Sequence, residues 1–169
     1  NVGGRVVPMA ELTRLFGQEG MGEVKAYLAS GNLSFTSRST SAAALEQKLE
    51  AALAKALGYE VDTFVRTEAE LVAAYQHPAY SAKEMNSAHT IAIGFMRTPL
   101  DPAGLARIAA LANGEDEFRA NGRELYQRNT VGLGQSKITG KMLERALGQP
   151  VTMRNIRTVA KLAAAVRRA

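Results

Sequence analysis

The sequence predicts an α+β fold built from two β-α-β-β-α-β halves in tandem. Three observations predict it. Hydrophobic residues make up 46% of the 169 residues, enough to bury a proper core and to argue against wholesale disorder. Apolar spacing switches repeatedly between the helical period and strict alternation. The order helix, strand, tight turn, strand, helix, strand also occurs twice. The expected halves are residues 1–66 and 88–169, joined by a helix and loop over 67–87, with no literal repeat of sequence between them.

In the first half, Asn1-Val2-Gly3-Gly4 reads as a loop. Pro8 suits the first turn of a helix, where its missing N–H costs nothing. Met9, Leu12, Leu15 and Phe16 recur at helical spacing, and Gly17 or Gly20 ends the element. Residues 24–28 and 33–35 are short strands around the hairpin turn Ala29-Ser30-Gly31-Asn32. Ser41 caps a helix whose stripe is Leu45, Leu49, Leu53 and Leu57, and Gly58 stops it. Residues 59–66 alternate as a strand, with Val61 and Val65 on one face.

Thr67 opens the linking helix over 68–75, Pro78 ends it, and 80–87 reads as irregular. In the second half, residues 89–96 form an apolar strand. Asp101-Pro102 is a cap followed by proline at the first helical position, with Leu105, Ile108 and Leu111 facing the core. Residues 115–120 and 124–129 flank Asn121-Gly122, a strong hairpin signal. Ser136 opens a helix that Gly148 closes, residues 151–153 are a short strand, and Asn155 caps a last helix over 156–168. This half is a complete ferredoxin-like split unit. The first half lacks the leading strand, which is central in that topology, so a strand of about 5–6 residues is expected upstream of Asn1.

Several pieces resemble a known family. They are Asn1-Val2-Gly3-Gly4 with Pro8-Met9-Ala10-Glu11-Leu12, Tyr27-Leu28-Ala29-Ser30-Gly31-Asn32, Ser136-Lys137, Leu143-Glu144-Arg145-Ala146-Leu147-Gly148 and Thr152-Met153-Arg154-Asn155. In this order they are similar to the bacterial domain-of-unknown-function family 1697. Its members usually begin with an apolar strand ending in Arg-Gly-Ile before the Asn-Val-Gly piece, and often carry Trp where this chain has Ile156. The family brings no established activity, so the resemblance implies the architecture and leaves function open.

Composition narrows the chemistry. With no Cys, the chain has no disulfides, thiolate metal sites or Cys nucleophile, which fits a reducing cytoplasm. No apolar run approaches the roughly 20 residues of a membrane-spanning helix, so no membrane partner is expected. The net charge of +5 is skewed: residues 1–84 carry 8 Lys and Arg against 10 Asp and Glu, and residues 85–169 carry 13 against 6. A charge map of that kind points to an anionic partner for the second half.

The densest cluster of glycine, hydroxyl and cation runs over 131–141. Glycines before a helix let backbone N–H groups approach an anion, and the helix dipole favours it. Gly134, Ser136, Lys137 and Lys141, joined by Arg154 and Arg157 further on, are the candidate anion-binding residues. On a helical wheel Lys137, Lys141 and Arg145 lie opposite Ile138, Met142, Leu143 and Ala146, and Arg157, Lys161 and Arg168 form a similar stripe on the last helix. A Walker A loop is excluded, because Gly134 and Gly140 are one residue too far apart and Met142 follows Lys141. No cofactor motif is present. Asn1, Arg5, Ser30 and Asn32 are candidates for a second, polar pocket at the first hairpin.

His77 and His89, the only histidines, sit in no nucleophile motif and read as structural. Glu115, Asp116 and Glu117 read as solvated carboxylates beside a hairpin. The expectation is therefore a cytoplasmic protein whose basic half binds a phosphate-bearing ligand or nucleic acid. An enzyme acting on a small phosphorylated metabolite and a dimeric scaffold pairing through an exposed sheet face are the alternatives.

Overall fold

A computed structural model of the chain describes residues 7–27 and 31–167. It is a mixed α/β structure with two antiparallel sheets and seven helices among the described residues. Two compact units divide the chain, Asn1–Val65 and Arg66–Ala169.

The first unit contains α1 (Met9–Gln18), β1 (Gly22–Tyr27), β2 (Asn32–Thr36) and α2 (Ala42–Leu57). Pro8 stands just before α1, and Leu15 and Phe16 are its buried residues. The strands pair antiparallel, with Tyr27 opposite Asn32 and a bulge between Gly22 and Lys25 where Glu23 takes a positive φ of 47°. Ser41 Oγ accepts the Ala44 N–H, and Gly58 ends α2 in the left-handed conformation, so both caps fall where expected. Leu45, Leu49 and Leu53 meet Leu15, Phe16 and Met21 in one core, with Phe16 edge-on to Phe35 at 5.7 Å.

Residues 59–66, expected as a strand, form no ladder. The backbone N–H groups of Thr63 and Val65 instead donate to the carboxylates of Glu50 and Glu46, both at 2.7 Å. These two glutamates stand one turn apart on α2. Buried amides need acceptors, and here side chains supply what a neighbouring strand otherwise would.

The second unit begins with α3 (Glu68–Gln76) and α4 (Ala82–Asn86), then β3 (Thr90–Met96), α5 (Pro102–Ala109), β4 (Asp116–Asn121) and β5 (Glu124–Asn129). It finishes with α6 (Gly140–Leu147), β6 (Val151–Asn155) and α7 (Ile156–Val166). The strand order is β4-β5-β3-β6, every neighbour antiparallel. From β3 to β6 the connectivity is that of a split β-α-β-β-α-β unit.

Met96, Leu125, Phe118, Val151 and Met153 pack with α5 and α6 on one face of this sheet. By alternation, Ile93, Phe95, Tyr126 and Arg154 point to the other face. That face is covered too: Tyr126 donates to the Ala74 carbonyl of α3 at 2.9 Å, and α7 packs on α3 and β3. Burial on both sides explains why β3 reads as an unbroken apolar run. Gly94 sits where Val151 and Met153 cross the strand, and a Cβ there would lie 2.6 Å from Met153 Sδ and 2.9 Å from Val151 Cγ2. Gly94→Ala is therefore expected to cost about 1–3 kcal/mol through overpacking, read as a lower urea midpoint.

Residues 67–87 fold as part of this second unit. Both helices in the stretch carry complete capping boxes, Thr67 with Glu70 and Ser81 with Glu84. The second box makes a helix of a segment expected to be irregular. The β4–β5 loop is Gly122-Arg123 rather than Asn121-Gly122, since Asn121 still pairs with Glu124. Only Gly122 has a positive φ there, 56°, as in a II′ turn rather than I′.

Candidate functional site

β5 and β6 both finish at the end of the sheet where β3 begins, since Thr90 pairs with Asn129 and Ala92 with Asn155. The helices that follow them, α6 and α7, therefore both start at that end. The 130–139 loop joins β5 to α6 there, bringing Gly134, Ser136 and Lys137 with it.

Ser136 does not open α6. Thr139 is the cap, accepting the Met142 N–H at 3.3 Å, and the helix begins at Gly140. The Ser136 hydroxyl instead donates to Asp116 Oδ2 at 2.7 Å and accepts the Ile138 N–H at 3.1 Å. Asp116 Oδ1 accepts from Gln127 Nε2 at 2.7 Å and from Asn129 Nδ2 at 2.8 Å. Asn129 Oδ1 in turn accepts the N–H groups of Val131 and Gly132. Gly132 has a φ of 97° and lies against the His89 ring, where a Cβ would be 3.2 Å from Cε1. The loop is thus pinned from beneath by a carboxylate with no exposed surface.

Asp116 is a correction to the expected solvated triplet. Its pairing with Asn129 at the sheet end turns it inward, while Glu117, one residue on, points the other way to Arg128 at 3.1 Å. The signal was in the strand alternation, Asp116-Phe118-Ala120 sharing a face.

Lys137 and Lys141 are exposed, as are Gly134 and Arg157. Lys141 and Arg145 lie one turn apart on the outer side of α6, opposite buried Leu143, Ala146 and Leu147. Met142, placed on the inner side by the wheel, is exposed in the first turn of α6. Arg157 occupies the first turn of α7, where its N–H donates to Asn155 Oδ1 at 2.9 Å. Arg154 is set apart from the residues of α6 by the sheet itself. Its guanidinium, half-buried on the opposite face, donates to Thr152 Oγ1 at 2.7 Å and the Met153 carbonyl at 3.0 Å. Burial pulls its pKa below the ordinary value. Asn32 donates to the Tyr27 carbonyl at 3.3 Å within the first hairpin. Asn1, Arg5 and Ser30 lie outside the described residues.

Several arginines of this unit are ion-paired internally. Arg66 pairs with Glu124 at 2.8 Å, Arg123 with Glu70 at 2.7 Å, and Arg119 with Glu84 while lying over the Tyr80 ring. The Ser81 hydroxyl and N–H, with Arg119, hold the Glu84 carboxyl down at about 2. Lys137, Lys141 and Arg157 have no carboxylate partner among the described residues. Among those residues no group of three or more His, Asp or Glu is placed to hold a metal ion, and no helix is long and apolar enough to cross a membrane.

Residues 1–126 match the family described as "Protein of unknown function (DUF1697)", and the chain belongs to that family. In structure it is similar to the conserved bacterial protein SP0830 from Streptococcus pneumoniae. That likeness has a TM-score of 0.75 at 23% identity and covers 99% of this chain and 93% of that one. At that identity it concerns the fold alone. No curated protein matches the sequence. The family match ends at Tyr126, before the loop, α6, β6 and α7 that carry the exposed cations.

Proposed function

We propose that the second unit binds the phosphate backbone of a nucleic acid at the sheet end where α6 and α7 begin. One observation carries this reading: Lys137, Lys141 and Arg157 are exposed, without carboxylate partners among the described residues, and follow the strands that finish at this one end of the sheet. Uncompensated cations release counterions when they meet phosphates, and that release drives association. Gly134 adds open backbone beside Lys137, whereas Ser136 serves by fixing the loop through Asp116 and Arg154 by its place on β6.

Base reading across the sheet is not part of the proposal, since both sheet faces are covered. An enzyme on a small phosphorylated metabolite is the weaker reading, because the Ser136 hydroxyl is already committed to Asp116. We also infer a tandem ferredoxin-like design. The order α1-β1-β2-α2 followed by the extended 59–66 segment repeats the α5-β4-β5-α6-β6 order of the second unit. A cytoplasmic setting fits the Cys-free chain.

The test is binding of a labelled single-stranded oligonucleotide across a salt series. The triple variant Lys137→Ala/Lys141→Ala/Arg157→Ala is expected to flatten the slope of log K against log salt by about 2, at about 0.7 per phosphate contact on a single strand. Parent binding that ignores salt, or a variant with an unchanged slope, would falsify the proposal.

A further inference from the structure

We infer that a cleft beside the start of α7 receives an unstacked nucleobase, which makes the partner a single strand. This rests on the backbone-binding reading above and names its substrate class. The cleft has a volume of about 260 Å³ and lies between the C-terminal end of α3, α4 and the first residue of α7. Tyr75, His77, Pro78, Met85, Tyr126 and Ile156 are among the residues that line it. Among the described residues no carboxylate lines it.

The walls suit a planar ring. Tyr75 of α3 and Met85 of α4, both lining the cleft, are 42% and 43% exposed, so two large side chains of its lining stand partly in water. Such exposure at a concave site marks a surface that gains from being covered. The deeper tyrosines close the floor and have committed hydroxyls: Tyr80 donates to the carbonyls of Glu117 and Tyr126, and Tyr126 to that of Ala74. His77 packs on the Tyr126 ring at 5.1 Å, and its Nδ1 lies 3.5 Å from Asn121 Nδ2. Every base has a π-face, so stacking on such walls tolerates any sequence.

Charge ties the cleft to the backbone site. Ile156 lines the cleft, and Arg157, the next residue, is exposed with no carboxylate partner among the described residues. A nucleotide whose phosphate meets Arg157 has its base within one residue's reach of the cleft. An apolar peptide would leave that cation unanswered, whereas a nucleotide satisfies both.

The test compares a short oligothymidylate with an abasic chain of the same length and charge, by fluorescence anisotropy at low salt. The parent is expected to bind the thymidylate about 10-fold more tightly, within the range for one stacked base. Tyr75→Ala and Met85→Ala, both at exposed positions, are expected to bring the two chains within about twofold while leaving abasic binding unchanged. The Met85 methyl resonance should shift with thymidylate and not with the abasic chain. Equal affinity of the parent for both chains overturns the cleft and leaves the backbone reading standing. Failure of both chains to bind overturns both.

Discussion

Asp116→Ala is expected to destabilise the second unit by about 3–5 kcal/mol, because one carboxylate answers three donors in a site closed to water. Gln127 Nε2, Asn129 Nδ2 and Ser136 Oγ converge on it at 2.7–2.8 Å, and Gln127 and Asn129 are themselves buried. Removal leaves two amide groups without an acceptor, and each buried unpaired group costs about 1–3 kcal/mol. The serine can turn elsewhere, which is why the sum stops short of three full penalties. Asp116→Asn keeps the shape but offers one accepting oxygen and an NH₂ that faces a donor, so it should recover only part of the loss. Urea denaturation followed by circular dichroism reads both. A midpoint for Asp116→Ala within the error of the parent would mean the cluster holds nothing. Loss of the loop's support should also weaken oligonucleotide binding in native buffer, since Lys137 rides on it.

Tyr80→Ala should cost a similar amount, about 3–5 kcal/mol, the range for emptying a buried aromatic site. The residue is 5% exposed and ties the 77–87 stretch to the sheet through its hydroxyl, with Arg119 stacked over the ring. Burial raises the phenol to about 12 from the ordinary 10.0. The folded chain thus holds a proton that the unfolded chain has released, and stability must fall as pH climbs through that interval. The loss from this one group reaches about 2 kcal/mol at pH 12. Burial raises Tyr126 as well, which steepens the decline. Tyr80→Phe, which cannot ionise, should lose less between pH 10 and 12 than the parent does. Parallel alkaline curves for the two would contradict this account.

Much of the architecture was legible because local signals and long-range packing agreed. Ser41 and Gly58 bracket α2 as their side chains dictate, and Asp101-Pro102 opens α5. What failed did so where a distant partner decided the outcome. Residues 59–66 alternate like a strand, yet Glu46 and Glu50 take their N–H groups. Ser136 has the local look of a helix cap, but Asp116, 20 residues earlier, claims its hydroxyl. Asp116 looked solvated beside two glutamates, and only its register opposite Asn129 turns it inward.

The candidate site was half legible. Exposure of Lys141 and Arg157 follows from the outer faces of α6 and α7, which periodicity gives directly, whereas Lys137 sits in the loop before α6. The cleft does not, because Tyr75, Met85 and Ile156 belong to three different helices that only the fold assembles.

The glutamates that satisfy residues 63 and 65 have a consequence for how the chain behaves in a crowd. An extended segment with free amides is a template on which another molecule can lay its own backbone, the first step toward fibrils. Here two of those rungs are already occupied, by the carboxylates of Glu50 and Glu46. The first unit thereby gains resistance to self-association from a pair of side chains whose evident task is internal.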